Sequence, residues 1–338
     1  MPTSPPTQTW LTGITTSGTP HLGNYVGAIR PAVRASRDRT REGFYFLADY
    51  HSLIKQHDAE RLRRSRREIA AAWIALGLDT EHATFYRQSD VPEVMELCWM
   101  LQCMAAKGLL NRAHAYKAAV QANEEAGDGA DPDRGVTMGL FSYPVLMAAD
   151  ILMFRATHVP VGRDQVQHLE MTRDIAQRFN HAYGEHLVLP EVVVDDDVAV
   201  LAGLDGRKMS KSYDNTIPLF ETSKKLRKSI MRIVTDSREP HEPKETAGNT
   251  VFEIHRAFAS DEQSAELAED YARGIGWGDA KQRLFELVDA ALAEPRERYD
   301  ALMASPDEID AILAGGAARA RALAGPYLDE LRAAVGIR

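Results

Sequence analysis

The chain has 338 residues, 44% of them hydrophobic, and a formal net charge of −9. That length suffices for one large core or two smaller ones, so two domains are expected; the acidic balance weighs against general nucleic-acid affinity, which rests on Lys and Arg neutralising phosphates. Met1 to Gln8 carries neither a basic start nor an apolar run, no later apolar stretch reaches bilayer-spanning length, and Cys98 and Cys103 make neither a disulfide framework nor a complete zinc site, so a soluble protein of the reducing cytoplasm is expected.

In chain order, Thr9 to Ile14 reads as a strand, TTSGTPHLG as a Gly/Pro turn, and Val26, Ile29 and Val33 recur at helical spacing from Asn24 on. Gly43 to Asp49 and Ala83 to Tyr86 are two further short apolar runs, with the helical stripe Ile69, Trp73, Leu76 between them. Strands alternating with helices predict a parallel sheet with crossover helices. Asp90 and Pro92 are read as a helix cap and a first-turn proline. Gln121 to Gly139 is expected to be a mobile loop, Tyr143 to Phe154 an apolar helix, His158 to Gly162 a short buried strand, and Asp164 the cap of a following helix. Beyond Lys208 the pattern is helical, with interruptions at Pro240 to Gly248, Gly274 to Gly278 and Pro306. The basic stretches Arg61 to Arg67 and Lys224 to Arg232 each fit a solvated helix face or a phosphate-binding one.

Two segments carry chemistry. Pro20-His21-Leu22-Gly23-Asn24 falls where the first strand turns into a helix, a position whose unpaired N–H groups and positive dipole end suit phosphate. His21 and Asn24 add donors, and Gly23 lets a flat ring or ribose approach the backbone. The turn has neither the P-loop pattern nor the spaced glycines of dinucleotide sites. Gly206 to Ser212 (GRKMSKS) places three cations among small hydroxyl residues, an arm suited to closing on pyrophosphate; an exposed basic loop is the plain alternative.

In this order and placement, PHLGN and KMSKS resemble the two signature motifs of class I aminoacyl-tRNA synthetases. YPVLMAADIL, VPVGRDQ and QHLEMTRDIAQRFN, with TGITTSG, ADYHSLI and WMLQC, resemble the tryptophanyl branch of that family over most of the first 220 residues. The resemblance implies an α/β fold: a Rossmann-like catalytic domain over 1–205 with helices inserted at about 90–140, the KMSKS loop and linker over 206–220, and a helical, anticodon-binding domain over 221–338. It implies ATP as substrate with Mg²⁺, L-tryptophan and tRNA(Trp) as partners, a cytoplasmic homodimer, and no membrane association. The apolar helix PEVMELCWMLQCMAAKGLL is either the dimer interface or simply core.

The resemblance further implies ATP contacts from Thr15, Thr16, Ser17, His21, Gly23, Asn24, Gly162, Asp164, Gln165, Lys208, Met209, Ser210 and Lys211, and amino-acid contacts from His51, Tyr143, Met147, Asp150 and Gln165. No residue is assigned as a metal ligand. Lys117 matches a lysine that reaches ATP, and His168 is either a site residue or a satisfied packing residue. Asp150 is the one charge in its apolar helix, costly to bury without a partner. It is read as the acceptor of the indole N–H, a polar contact that rejects analogues lacking the group; a structural pairing to an arginine is the alternative.

A carboxylate attacking the α-phosphorus is already ionised, so no general base is needed. Catalysis is expected from in-line positioning and charge stabilisation by Lys208, Lys211, His21 and Mg²⁺. Two segments depart from the family: Thr15-Thr16 stands where many relatives have Gln-Pro, and Arg163 where they have Glu. A tyrosyl-tRNA synthetase, a small-molecule adenylyltransferase and a non-catalytic RNA-binding paralogue remain as alternatives.

Overall fold

The computed structural model describes residues 8–16, 18–127, 131–194 and 200–338, with Asp164 described in its backbone only. Five strands, β1 (Gln8–Thr15), β2 (Arg41–Ala48), β3 (Thr84–Arg87), β4 (His158–Val161) and β5 (Glu191–Val194), form one sheet in the order β3-β2-β1-β4-β5. Every pairing is parallel, from Gln8↔Arg41 through Thr15↔Ala48 between β1 and β2, to His158↔Glu191 between β4 and β5. The sheet is the predicted Rossmann-like one. β2 is buried along its last six residues, Gly43 to Ala48, because helices cover both faces of a parallel sheet and leave no polar face to alternate with.

The chain lays β2 and β3 on one side of β1 and then returns to lay β4 and β5 on the other. In an open α/β sheet, ligands bind at the carboxyl ends of the strands at such a reversal. The ends of β1, β2 and β4 are Thr15, Ala48 and Val161, and each is followed within three residues by one assigned to chemistry from the sequence: Thr16, His51 and Gly162.

Some local expectations change. β5 was not anticipated: EVVV is only four residues long and partly exposed. Asp90 does not cap a helix, since its carboxylate is held by Arg87 Nε at 2.6 Å, and Pro92 takes the cap position of the helix Glu93–Met104. The segment expected to be a mobile loop is shortened from both ends, by the helix His114–Glu125 and by Met138–Met153, where Thr137 accepts from the Leu140 N–H. The helical path after β4 starts with a single turn, Arg163–Gln165, preceded by Gly162, and continues as Val166–Tyr183; a cap by the Asp164 side chain falls outside the described residues.

Two apolar clusters form the core. One joins the helix Ala59–Ala75 and the underside of β2 and β3 to the C-terminal helices through Leu313. The other joins Glu93–Met104, Met138–Met153 and Val166–Tyr183 to residues Ala317 to Leu331. The last helix, Pro306–Ala334, thus runs from one cluster to the other and lies along the edge strand β3. A Cβ at Gly316 would sit 1.7 Å from the Phe85 carbonyl oxygen, and Arg319 donates to the Thr80 and Ala83 carbonyls at 2.9 Å. The helix covers an edge that would otherwise be open to strand addition. Among the described residues, no helix is long and apolar enough to cross a membrane.

Candidate active site

β1 delivers the first part of the site. His21 is the cap of the helical turn Leu22–Asn24: its Nδ1 accepts from the Asn24 N–H at 3.3 Å, and Asn24 Oδ1 accepts from the His21 N–H at 3.2 Å. With Nδ1 accepting, the ring proton sits on Nε2. Burial, followed by the nearby Lys211 charge, lowers the His21 pKa to about 4. The imidazole is therefore neutral at physiological pH and acts as a hydrogen-bond donor.

The KMSKS loop docks on this turn. Met209, 4% exposed, is the pin: its backbone N–H donates to Leu201 O at 2.9 Å, and its sulfur accepts from the Gly23 N–H at 3.4 Å. Pro218 and His21 form an isolated antiparallel bridge, so the chain leaving the loop also runs beside the turn. Buried Asn215 organises the loop from within. Its amide donates to Asp205 at 2.6 Å and to the Lys208 carbonyl at 3.1 Å, while its oxygen accepts from the Ser210 N–H at 2.8 Å.

Lys211 reaches across the turn: a Cβ at Gly18 would stand 3.3 Å from its Nζ, and φ of +69° at Gly18 suits only glycine. The Lys211 side chain remains solvent-accessible, yet its ammonium is crowded enough that its pKa falls to about 8. Loss of solvation is the main cause, the Glu68 carboxylate opposes it, and Arg61 adds to it. Lys208 is exposed. Glu68 also accepts from Thr19 Oγ1 at 2.9 Å, and Ser65 Oγ donates to Gly18 O at 3.0 Å, so the helix Ala59–Ala75 holds the turn from behind. The basic stretch on that helix divides: Arg66 is turned to the buried Asp49 at 3.2 Å, while Arg61, Arg64 and Arg67 are exposed.

The second half of the site lies on the helix Met138–Met153. Tyr143, Met147 and Asp150 are four and three residues apart and share one face. Asp150 is 2% exposed. Its Oδ2 accepts from His51 Nε2 at 2.9 Å, and Gln88 Nε2 donates to Oδ1 at 2.8 Å and Oδ2 at 3.0 Å. Its partners are thus a histidine and an amide, not the arginine that a structural pair would use. Burial raises the Asp150 pKa, with the His51 and Gln88 hydrogen bonds opposing.

Tyr143 and His168 are joined at 2.6 Å, and His168 Nδ1 meets Gln165 Oε1 at 3.0 Å. An amide oxygen only accepts, so Nδ1 carries the proton and Nε2 accepts from the Tyr143 O–H. His168, 2% exposed, is thereby a supporting residue. Thr16 links the two halves. It is fully buried, and its hydroxyl meets Ser52 Oγ at 2.9 Å, one residue from His51, whereas Thr15 is exposed at the end of β1.

Gly162 and Arg163 are exposed on the turn after β4, and Lys117 is exposed on its own helix. Ser17 and the Asp164 side chain lie outside the described residues. Sequence inspection missed Gln88, Asn215 and Asp49. Their common signal is a polar residue closely following an apolar strand or a motif, which is weak on its own.

A phosphate-ready turn and a buried, hydrogen-bonded carboxylate at the switch point of a parallel sheet define a nucleotide-dependent amino-acid-activating site. The chain belongs to the class I tRNA synthetase family that serves tryptophan and tyrosine, matching tRNA synthetases class I (W and Y) over residues 6–293. Within that family it is similar to tryptophan–tRNA ligases. It is 64% identical over 331 residues to the tryptophan–tRNA ligase of Pseudomonas aeruginosa, covering 97% of this chain and 73% of that one. To that of Neisseria meningitidis it is 59% identical over 328 residues, covering 97% of each. The fold matches the tryptophanyl-tRNA synthetase of Campylobacter jejuni complexed with ADP and tryptophan, with a TM-score of 0.88 and 43% identity over 97% of this chain and 100% of that one.

Proposed function

We infer that this chain activates L-tryptophan with ATP and transfers it to tRNA(Trp), releasing pyrophosphate and AMP. The observation that carries the reading is a pair of half-sites tied together by Thr16 and Ser52: Lys211 over the His21 turn, and buried Asp150 on the helix face that also carries Tyr143 and Met147.

In this reading, tryptophan binds with its indole N–H on Asp150, its ring against Met147, and its ammonium at Tyr143 and Gln165, with His51 supporting Asp150. ATP lies along the end of β1, its phosphates at His21, Asn24 and the KMSKS lysines and its nucleoside by Gly23, Met209 and the Gly162–Gln165 turn. The tryptophan carboxylate attacks the α-phosphorus in line. The bond to pyrophosphate breaks, and charge gathering on the leaving oxygens is met by Lys208 and Lys211, while neutral His21 donates from Nε2. Mg²⁺ is proposed to arrive with ATP, held mainly by phosphate oxygens as that ion prefers.

The helical segment 221–338 is proposed to read the anticodon. Lys224, Lys225, Lys228 and Arg232 are exposed on or beside the helix Ser223–Met231, which turns Leu226 and Ile230 inward. A cytoplasmic homodimer is proposed as well, supported by Trp99 at 68% and Met95 at 39% exposure on the helix Glu93–Met104. Charging of tRNA(Trp) and tRNA(Tyr) transcripts with labelled tryptophan tests the function: esterification of the first alone supports it, and no charging of either refutes it.

A further inference from the structure

We propose that Gln88 is a positioning residue for tryptophan selectivity, holding the Asp150 carboxylate so that one acceptor site on Oδ1 is left for the indole N–H. The proposal rests on Asp150 being the indole acceptor.

Gln88 follows β3 directly and is fully buried. Its orientation is fixed at both ends of the amide. Oε1 accepts from the Tyr50 backbone N–H at 3.1 Å, so Nε2 must face Asp150; a flipped amide would set oxygen against carboxylate and N–H against N–H. The turn that carries it is fixed too. The neighbouring Ser89 donates to Asp49 from its backbone N–H at 3.0 Å and from its hydroxyl at 2.6 Å, and Arg66 holds the same carboxylate at 3.2 Å.

A carboxylate has about four acceptor sites, two on each oxygen. Oδ2 receives both His51 and Gln88, and Oδ1 receives Gln88 alone. The remaining site is therefore on Oδ1, and the Gln88 bond fixes its direction. Gln88 also supplies donors to a carboxylate whose burial and nearby Asp49 both favour the protonated form. A protonated oxygen is a donor and rejects an N–H. Burial alone would make Gln88 a packing residue; the two-pronged bond gives it an effect specific to the indole nitrogen.

The test uses tryptophan and its isostere β-(3-benzothienyl)alanine, in which sulfur replaces the indole N–H, in amino-acid-dependent ATP–pyrophosphate exchange. Wild type is expected to prefer tryptophan by at least about tenfold in kcat/KM, the worth of one hydrogen bond to a charged acceptor. In Gln88→Met the preference should collapse toward unity through a rise in KM for tryptophan, with the isostere changed less than about threefold. The acidic limb of tryptophan kcat/KM should also move to higher pH as Asp150 loses donors. Gln88→Glu, of nearly equal volume, serves as the second variant and should lose the preference likewise. Parallel loss for both substrates, or an unmoved acidic limb, would overturn the proposal. A wild type without preference would instead overturn the Asp150 assignment beneath it.

Discussion

Lys211 gives the most quantitative prediction. Its pKa of about 8, against 10.5 for an ordinary lysine, comes from crowding over the Gly18 turn. At pH 9 such a group is only about one-tenth charged, whereas an unperturbed lysine would stay about 97% charged. If Lys211 must be a cation to meet the leaving pyrophosphate, kcat/KM for ATP in tryptophan-dependent exchange should fall about tenfold between pH 7 and pH 9. kcat/KM reports the free enzyme. kcat should hold to higher pH, because bound phosphates favour the charged form. In Lys211→Arg the guanidinium stays charged throughout, so the alkaline limb should vanish even though the maximal rate is lower. Lys211→Ala should lose about 10²–10³ in rate at pH 7, the usual worth of one donor to a developing oxyanion, with tryptophan binding nearly unchanged. Unfolding does not mimic the limb. A lysine with a lowered folded-state pKa binds its proton more weakly when folded, so its contribution to stability rises with pH between about 8 and 10.5. His21 does not intrude either, its pKa of about 4 lying below the assay range. An identical alkaline limb in Lys211→Arg would refute the reasoning.

Three other outcomes follow from the same structure. Asp150→Ala strands the His51 and Gln88 donors and should narrow the preference for tryptophan over tyrosine and phenylalanine by tenfold or more, measured as relative exchange; unchanged ratios would remove Asp150 from the pocket. Asn215→Ala removes the hydrogen bonds that shape the lysine loop and should raise KM for ATP several-fold while KM for tryptophan holds, in steady-state exchange. Gly316→Ala should destabilise the fold by about 2 kcal/mol or more in urea unfolding, because its Cβ would overlap Phe85 O, whereas Gly315→Ala, with open space around it, should gain up to about 1 kcal/mol from helix propensity.

The sheet and both signature segments were legible because each is written in contiguous residues: an apolar run, a Gly/Pro turn, a cation-rich loop. Asp150 stood out as a lone charge on an apolar helix. What escaped was long-range. Gln88 acquires meaning only when β3 brings it to Asp150, 62 residues away, and Asp49 only when it meets Ser89 and Arg66. Thr15 and Thr16 are indistinguishable in composition, yet the strand end exposes one and turns the other to Ser52. Asp90 carried a helix-start signature, but an arginine three residues earlier claimed its carboxylate. The neutrality of His21 depends on burial, which a motif does not encode. The arginine run between Arg61 and Arg67 looked like one face, and the helix turns Arg66 away from the rest toward a buried partner.

The central claim is that this site adenylates tryptophan. It is tested most directly by ATP–pyrophosphate exchange with the purified chain and each of the twenty amino acids in turn. Exchange dependent on tryptophan, with tyrosine and phenylalanine near background, is the result expected; exchange supported best by another amino acid, or by none, would contradict it.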